Sequence, residues 1–86
     1  MIFRSLNDDL TELVKHGDKL YLYESDCENT LEKITESLLT GDKTEENFGL
    51  FCEYQMIEKI ILLTKYHDKN INIIIIKNLG LLIPSL

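Results

Sequence analysis

Apolar residues recur at helical spacing along most of this chain, and that recurrence limits the fold more than any other feature. Leu6, Leu10, Leu13 and Val14 fall on one helical face, and Cys27, Leu31, Ile34 and Leu38 follow at i, i+4, i+7 and i+11. Phe48, Phe51 and Cys52 make a shorter stripe, and Ile57, Ile60 and Ile61, with Leu63 or Thr64, make another. Ile73–Ile76 is a β-branched run that reads as a strand when taken alone. The wider window gives Ile71, Ile74, Ile75, Leu79, Leu82, Ile83 and Leu86 at helical spacing, so a helix is predicted there too. Only Leu20–Tyr23 stays open between a helix entry and a short extended segment.

The boundaries follow from capping chemistry. Ser5 is placed as the N-cap of a first helix over Leu6–His16, with Asp8 as its capping-box acid and Gly17 as its stop. A second helix starts within Lys19–Glu28 and ends at Thr40, where Gly41 supplies a left-handed residue. Asp42–Glu46 is a polar loop into a third helix, capped by Thr44, with Glu45 and Glu46 in the first turn where the dipole favours acids. The chain turns near Gln55 or Met56 into a fourth helix, Ile57–Tyr66, and His67–Asn70 connects it to the last. That helix runs from Ile71 to about Leu82, with Asn70 as its cap and Pro84 ending or kinking it. The expected fold is therefore all-α, about five helices in an armadillo-like helical-repeat fragment, forming one domain over residues 1–86. Ile34, Leu38, Phe51, Ile60, Ile61, Ile74 and Leu79 are the expected core.

Two features of the C-terminal segment carry a further expectation. Ile73, Ile76, Leu82 and Ile83 widen its apolar surface beyond what one partner helix covers, and they form the candidate interaction face. Gly-Leu-Leu-Ile-Pro-Ser-Leu ends the sequence without a polar finish. Such a pattern predicts the N-terminal part of a longer helical array, whose next helices, or another protein, would cover the face. Self-association of these 86 residues alone is the corollary.

Composition narrows the function. Nine Lys and Arg stand against fifteen Asp and Glu, a formal charge of −6, and no basic cluster interrupts the acidity. Nucleic-acid binding and an anionic membrane surface are disfavoured by that charge. No stretch supplies the ~20 uninterrupted apolar residues of a membrane span, and the first residues predict no secretory leader. Cys27 and Cys52 lie far apart in no metal-ligand pattern, and are expected as small buried residues in a reducing compartment. Alanine, the best helix former, is absent, so the helices must rely on packing.

No motif carries chemistry. The acids Asp8-Asp9-Glu12 and Asp42-Glu45-Glu46 are read as solvated helix starts without calcium-loop spacing. His16 and His67 are placed at helix C-termini, and no sequence context makes Cys52 and His67 a nucleophile pair. Gly41-Asp42-Lys43-Thr44 lacks the upstream glycine and the preceding strand of a phosphate loop. The tyrosines at 21, 23, 54 and 66 are expected along packing seams with wet hydroxyls. No enzyme, cofactor or metal is predicted. Gly41 and Asp42 are a structural turn: Gly41 at positive φ, and Asp42 accepting backbone N–H bonds from the loop.

Ile34-Thr35-Glu36-Ser37-Leu38-Leu39-Thr40-Gly41-Asp42, followed by Phe48-Gly49-Leu50-Phe51-Cys52-Glu53-Tyr54-Gln55-Met56, resembles the FPL domain of Ema-type endosomal and autophagy proteins. Ile34, Glu36, Leu38, Gly41 and Asp42 match the first part of the family pattern, and Phe48, Phe51, Glu53 and Met56 approximate the second at shortened spacing. Phe3-Arg4-Ser5-Leu6 and Leu10 resemble the family's start. Thr40 stands where members commonly carry Trp, and Lys15–Asp26 matches poorly. A similar helix–acidic loop–helix rhythm belongs to the Hook-interacting proteins of endosomal transport. Either resemblance implies a non-enzymatic protein-interaction scaffold in endosomal and lysosomal trafficking and autophagy, cytoplasmic or peripheral on endosomal membranes. A small acidic helical regulator that masks a basic partner is the alternative.

Overall fold

Gly17 and Gly41 stand at φ +60° and +92°, a region that disfavours a side chain, and both break the helical run. Between and beyond them, a computed structural model describes residues 3–66 and 68–85. The described chain is all-α: α1 (Phe3–His16), α2 (Glu24–Leu39), α3 (Thr44–Glu53), α4 (Met56–Leu63) and α5 (Lys69–Leu82). Shorter 3₁₀ segments occupy Gly17–Tyr23, Thr64–Tyr66 and Ile83–Ser85. Leu20–Tyr23 is thus a tight helical turn, and no strand occurs among the described residues.

Helix α2 is the centre of the molecule. It packs on α1 on one side and along α5 on the other, while α4 returns to α1 and α3 bridges α2 and α4. The stripes interlock there: Leu6, Leu10 and Leu13 meet Leu31, Ile34 and Leu38, with Phe51, Met56, Ile60, Leu63, Ile71 and Ile75 closing the core. Truncating one of these to alanine costs about 2–5 kcal/mol. Polar contacts also tie distant elements. Lys59 Nζ on α4 donates to Asn7 Oδ1 on α1 at 2.7 Å, and Thr35 Oγ1 on α2 donates to Asn78 Oδ1 on α5 at 3.1 Å.

Several expectations are corrected. Helix α1 already includes Phe3, so Ser5 is an exposed helical residue and not a cap. Asp8 and Asp9 then lie past the first turn, and they owe their place to solvent and not to the helix dipole. Lys43, not Thr44, occupies the N-cap of α3, without a side-chain bond. Asp68, not Asn70, caps α5, its Oδ1 accepting from Ile71 N at 2.9 Å. Ile61 is 51% exposed, because α4 starts at Met56 and turns its Met56–Ile60–Leu63 stripe inward. Leu79 is only partly buried. Cys52 is exposed, whereas Cys27 is buried. His67 and Leu86 lie outside the described residues.

Candidate functional site

The Gly41–Asp42 turn and the outer face of α5 are the two places the sequence singles out. At the turn, Thr40 leaves the helix in an extended conformation, and Gly41 comes next at positive φ. Asp42 does not take its expected part. It is exposed, and among the described residues its carboxylate accepts no hydrogen bond. Other groups hold the corner. Thr40 Oγ1 donates to Glu36 O at 2.8 Å, and Asn47 Nδ2 reaches back from α3 to Ser37 O at 3.0 Å. The Asn47 bond satisfies a carbonyl left open at the end of α2, and the Thr40 hydroxyl adds a second bond to the Glu36 carbonyl, which already accepts from Thr40 N at 2.9 Å. A shallow polar groove beside the turn is lined by Lys33, Glu36, Asp42 and Lys43.

The outer face of α5 is different in kind. Asp68 starts the helix, and its contact with α2 sets its rotation: Ile71, Ile74, Ile75, Asn78 and Leu82 are turned inward. Leu82, at 1% exposure, is therefore core and does not belong to the interaction face. It lies eleven residues after Ile71, on the same side of the helix. Ile73, Ile76 and Ile83 point the other way, at 55%, 70% and 65% exposure. Spacings of three and seven put these three on one line, and Gly80 falls on the same line between Ile76 and Ile83. Gly80 has a helical backbone, and a Cβ placed there would meet nothing within 4 Å. A helical glycine costs up to about 1 kcal/mol against alanine, and no packing inside the chain requires this one. Gly49 on α3 is equally open, but its neighbours on that side are Glu45, Glu46, Cys52 and Glu53. Gly80 lies among Ile76, Lys77, Ile83 and Pro84, with open space where its side chain would be. Sequence reading missed Gly80 because a glycine near a helix end is ordinarily a stop signal.

Charge is partitioned with equal clarity. All fifteen carboxylates lie outside α5, whose only charged side chains are Lys69 and Lys77. Lys77 leans toward Glu32 of α2 at 4.0 Å, both largely exposed. A second groove, between α1 and α2, is lined by Asp9, Glu12, His16 and Asp26. Among the described residues, no three His, Cys, Asp or Glu side chains converge as a metal site. His16 stacks flat on Tyr23, centroids 3.6 Å apart, and so pins the 3₁₀ segment to the end of α1. Tyr66 reaches Val14 O at 3.5 Å, and Tyr54 packs partly against the core. Tyr21 stands 57% exposed, away from any seam. Burial, with Glu24 and Glu28 nearby, pushes the Cys27 thiol up to about 11. That group stays protonated at neutral pH and is a poor nucleophile.

No family model, curated protein or solved structure matches this chain. No helix among the described residues is long and apolar enough to cross a membrane.

Proposed function

We propose that this chain is a non-enzymatic protein-interaction module, docking partners along α5, in endosomal and lysosomal trafficking and autophagy. The observation that carries the docking role is the line Ile73–Ile76–Ile83. These are large aliphatic side chains more than half exposed on a helix whose opposite side is core. Contiguous apolar surface of this kind on a folded domain marks a site of association.

The trafficking context rests on the FPL-like residues. In the fold they form the end of α2, the Gly41 corner and α3, and Ile34, Leu38, Phe51 and Met56 are buried there. Helix pairing supports the repeat reading. Helix α4 packs on α1 and α5 packs on α2, a spacing of three helices that a stacked three-helix repeat produces. In such an array α3 would receive the next helix, and the α5 seam would meet a further repeat or a partner.

Proximity labelling in cells tests this reading. The chain should label proteins of endosomal and autophagic membranes, and Ile76→Lys should remove that set while leaving the helical spectrum intact. A labelled set without trafficking proteins, or one unchanged by Ile76→Lys, would overturn it. The confinement of all fifteen acids to the rest of the chain favours a second reading, an acidic regulator that masks a basic partner. Its binding would fall steeply with salt and ignore Ile76→Lys.

A further inference from the structure

We propose that the groove between α1 and α2 receives an arginine side chain from a basic segment of a partner protein. Leu13 and Thr30 are its buried residues, and Asp9 and Glu12 of α1 and Asp26 of α2 stand exposed around them. Thr30 carries the assignment. The hydroxyls of Thr11, Thr35, Thr40 and Thr64 each donate a hydrogen bond within the chain. Thr30 is only 7% exposed, yet among the described residues its hydroxyl makes no such bond. Nor is that oxygen sealed from solvent. Among the described residues, Asn72 Oδ1 is the one enclosed side-chain polar atom without a partner, so the unpaired Thr30 hydroxyl opens on the groove it lines. An unmade hydrogen bond at the bottom of an acidic groove is what a bound cationic donor would complete.

The chain's own cations leave the groove open. Lys15 pairs with Glu12 at 3.2 Å, both side chains largely exposed, and Asp9 and Asp26 make no ion pair among the described residues. Lys33 at the rim is the one competitor for them in the lining. A net charge of −6 draws a cation in from a distance. A guanidinium suits the lining better than an ammonium. It is planar and weakly hydrated, so its face can lie on Leu13 while its forked N–H groups reach Thr30 Oγ1 and carboxylates of both helices. The volume, about 300 Å³, is at the lower end for ligand sites and matches a single side chain. Free arginine would bring its own carboxylate into the acidic field, which favours an arginine carried on a peptide. Helix α5 contributes nothing to this groove, so the assignment stands apart from the docking role of α5.

Heteronuclear NMR titration of the whole chain with Nα-acetyl-arginine amide tests the proposal. The backbone amides of Leu13, His16, Asn29 and Thr30 should shift saturably, with a dissociation constant on the order of 1 mM at low salt. Nα-acetyl-lysine amide and free arginine should each bind about threefold more weakly or worse. Thr30→Val should weaken binding about tenfold. Its Tm should hold or rise, because no hydrogen bond within the chain is lost. Asp26→Asn should weaken binding, and Lys33→Gln, which removes the competing cation, should tighten it. Glu45→Gln removes the same charge from α3 and should change binding little. The proposal is overturned by shifts that do not saturate by ~20 mM, or by tighter binding of free arginine. Equal losses in Asp26→Asn and Glu45→Gln would overturn it as a site, leaving only general attraction to an acidic chain. A fall in the Tm of Thr30→Val would show that the hydroxyl already has a partner inside the chain, and would overturn it too.

Discussion

Thr35 and Asn78 face each other inside the apolar contact between α2 and α5, and the Thr35 hydroxyl donates to Asn78 Oδ1 at 3.1 Å. The Asn78 amide in turn donates to Ile74 O at 2.8 Å, one turn back on its own helix. Both residues are buried, at 5% and 3% exposure, so each polar atom must find its partner within the protein. The pair holds the register of the two helices, since sliding α5 by one residue would leave both groups buried without partners.

Asn78→Ala should therefore cost about 1–3 kcal/mol, because it orphans the Thr35 hydroxyl as well as removing a contact. Thermal unfolding would show this as a fall in Tm of roughly 4–8 °C per kcal/mol in a domain of this size. The double variant Thr35→Val, Asn78→Leu should recover most of the loss. A double variant as unstable as the sum of its singles would show that the two residues do not act as a pair.

Backbone conformation supplies the next test. Gln55 holds φ +54° at the junction of α3 and α4, where its N–H donates to Cys52 O at 3.1 Å and its carbonyl accepts from Lys59 N at 3.3 Å. A residue with a Cβ gives up about 1–2 kcal/mol in that region. Gln55→Gly should raise stability by about 0.5–1 kcal/mol, the relief being partly offset by glycine's greater freedom in the unfolded chain. Gly41→Ala is the converse, with an expected loss of about 1–2 kcal/mol at φ +92°. Chemical denaturation that ranks the two variants in the opposite order would contradict the assignment of these turns.

Cys27 and Cys52 should separate cleanly by reactivity. Exposed Cys52 should be alkylated within the native protein, and buried Cys27 only on unfolding. Burial raises the Cys27 thiol from 9.0 to about 11, so the folded state prefers the protonated form. Stability from this group is complete below the unfolded value and declines as pH rises between 9.0 and about 11, by roughly 2–3 kcal/mol in all. Unfolding free energy measured across that window should fall in the wild-type chain and fall less in Cys27→Val. An alkaline slope identical in both would show that Cys27 does not cause it.

The α-helical class was legible because most of the stripes repeat for two turns or more, and a local period needs no knowledge of the partner. Cys27, Leu31, Ile34 and Leu38 lie on one buried line in both sequence and fold. The left-handed glycines at 17 and 41 were equally legible, since the end of a helix demands them locally. The start of α1 was not, because Ser5 is as good a cap as any, and it is the packing of Phe3 into the core that carries the helix back past it.

What tertiary structure alone decided is the fine rotation of α5. The helical window already set Ile71, Ile74 and Ile75 apart from Ile73 and Ile76, but it left Leu79, Leu82 and Ile83 on one stripe. Only the contact with α2 buries Leu82, leaves Leu79 partly covered and turns Ile83 into water beside Ile73 and Ile76. Thr35 and Asn78 help select that rotation, because a buried hydrogen bond tolerates no turn of the helix while aliphatic packing tolerates several. Composition and period set which elements form, and the burial of a polar pair 43 residues apart holds the register in which α5 meets α2.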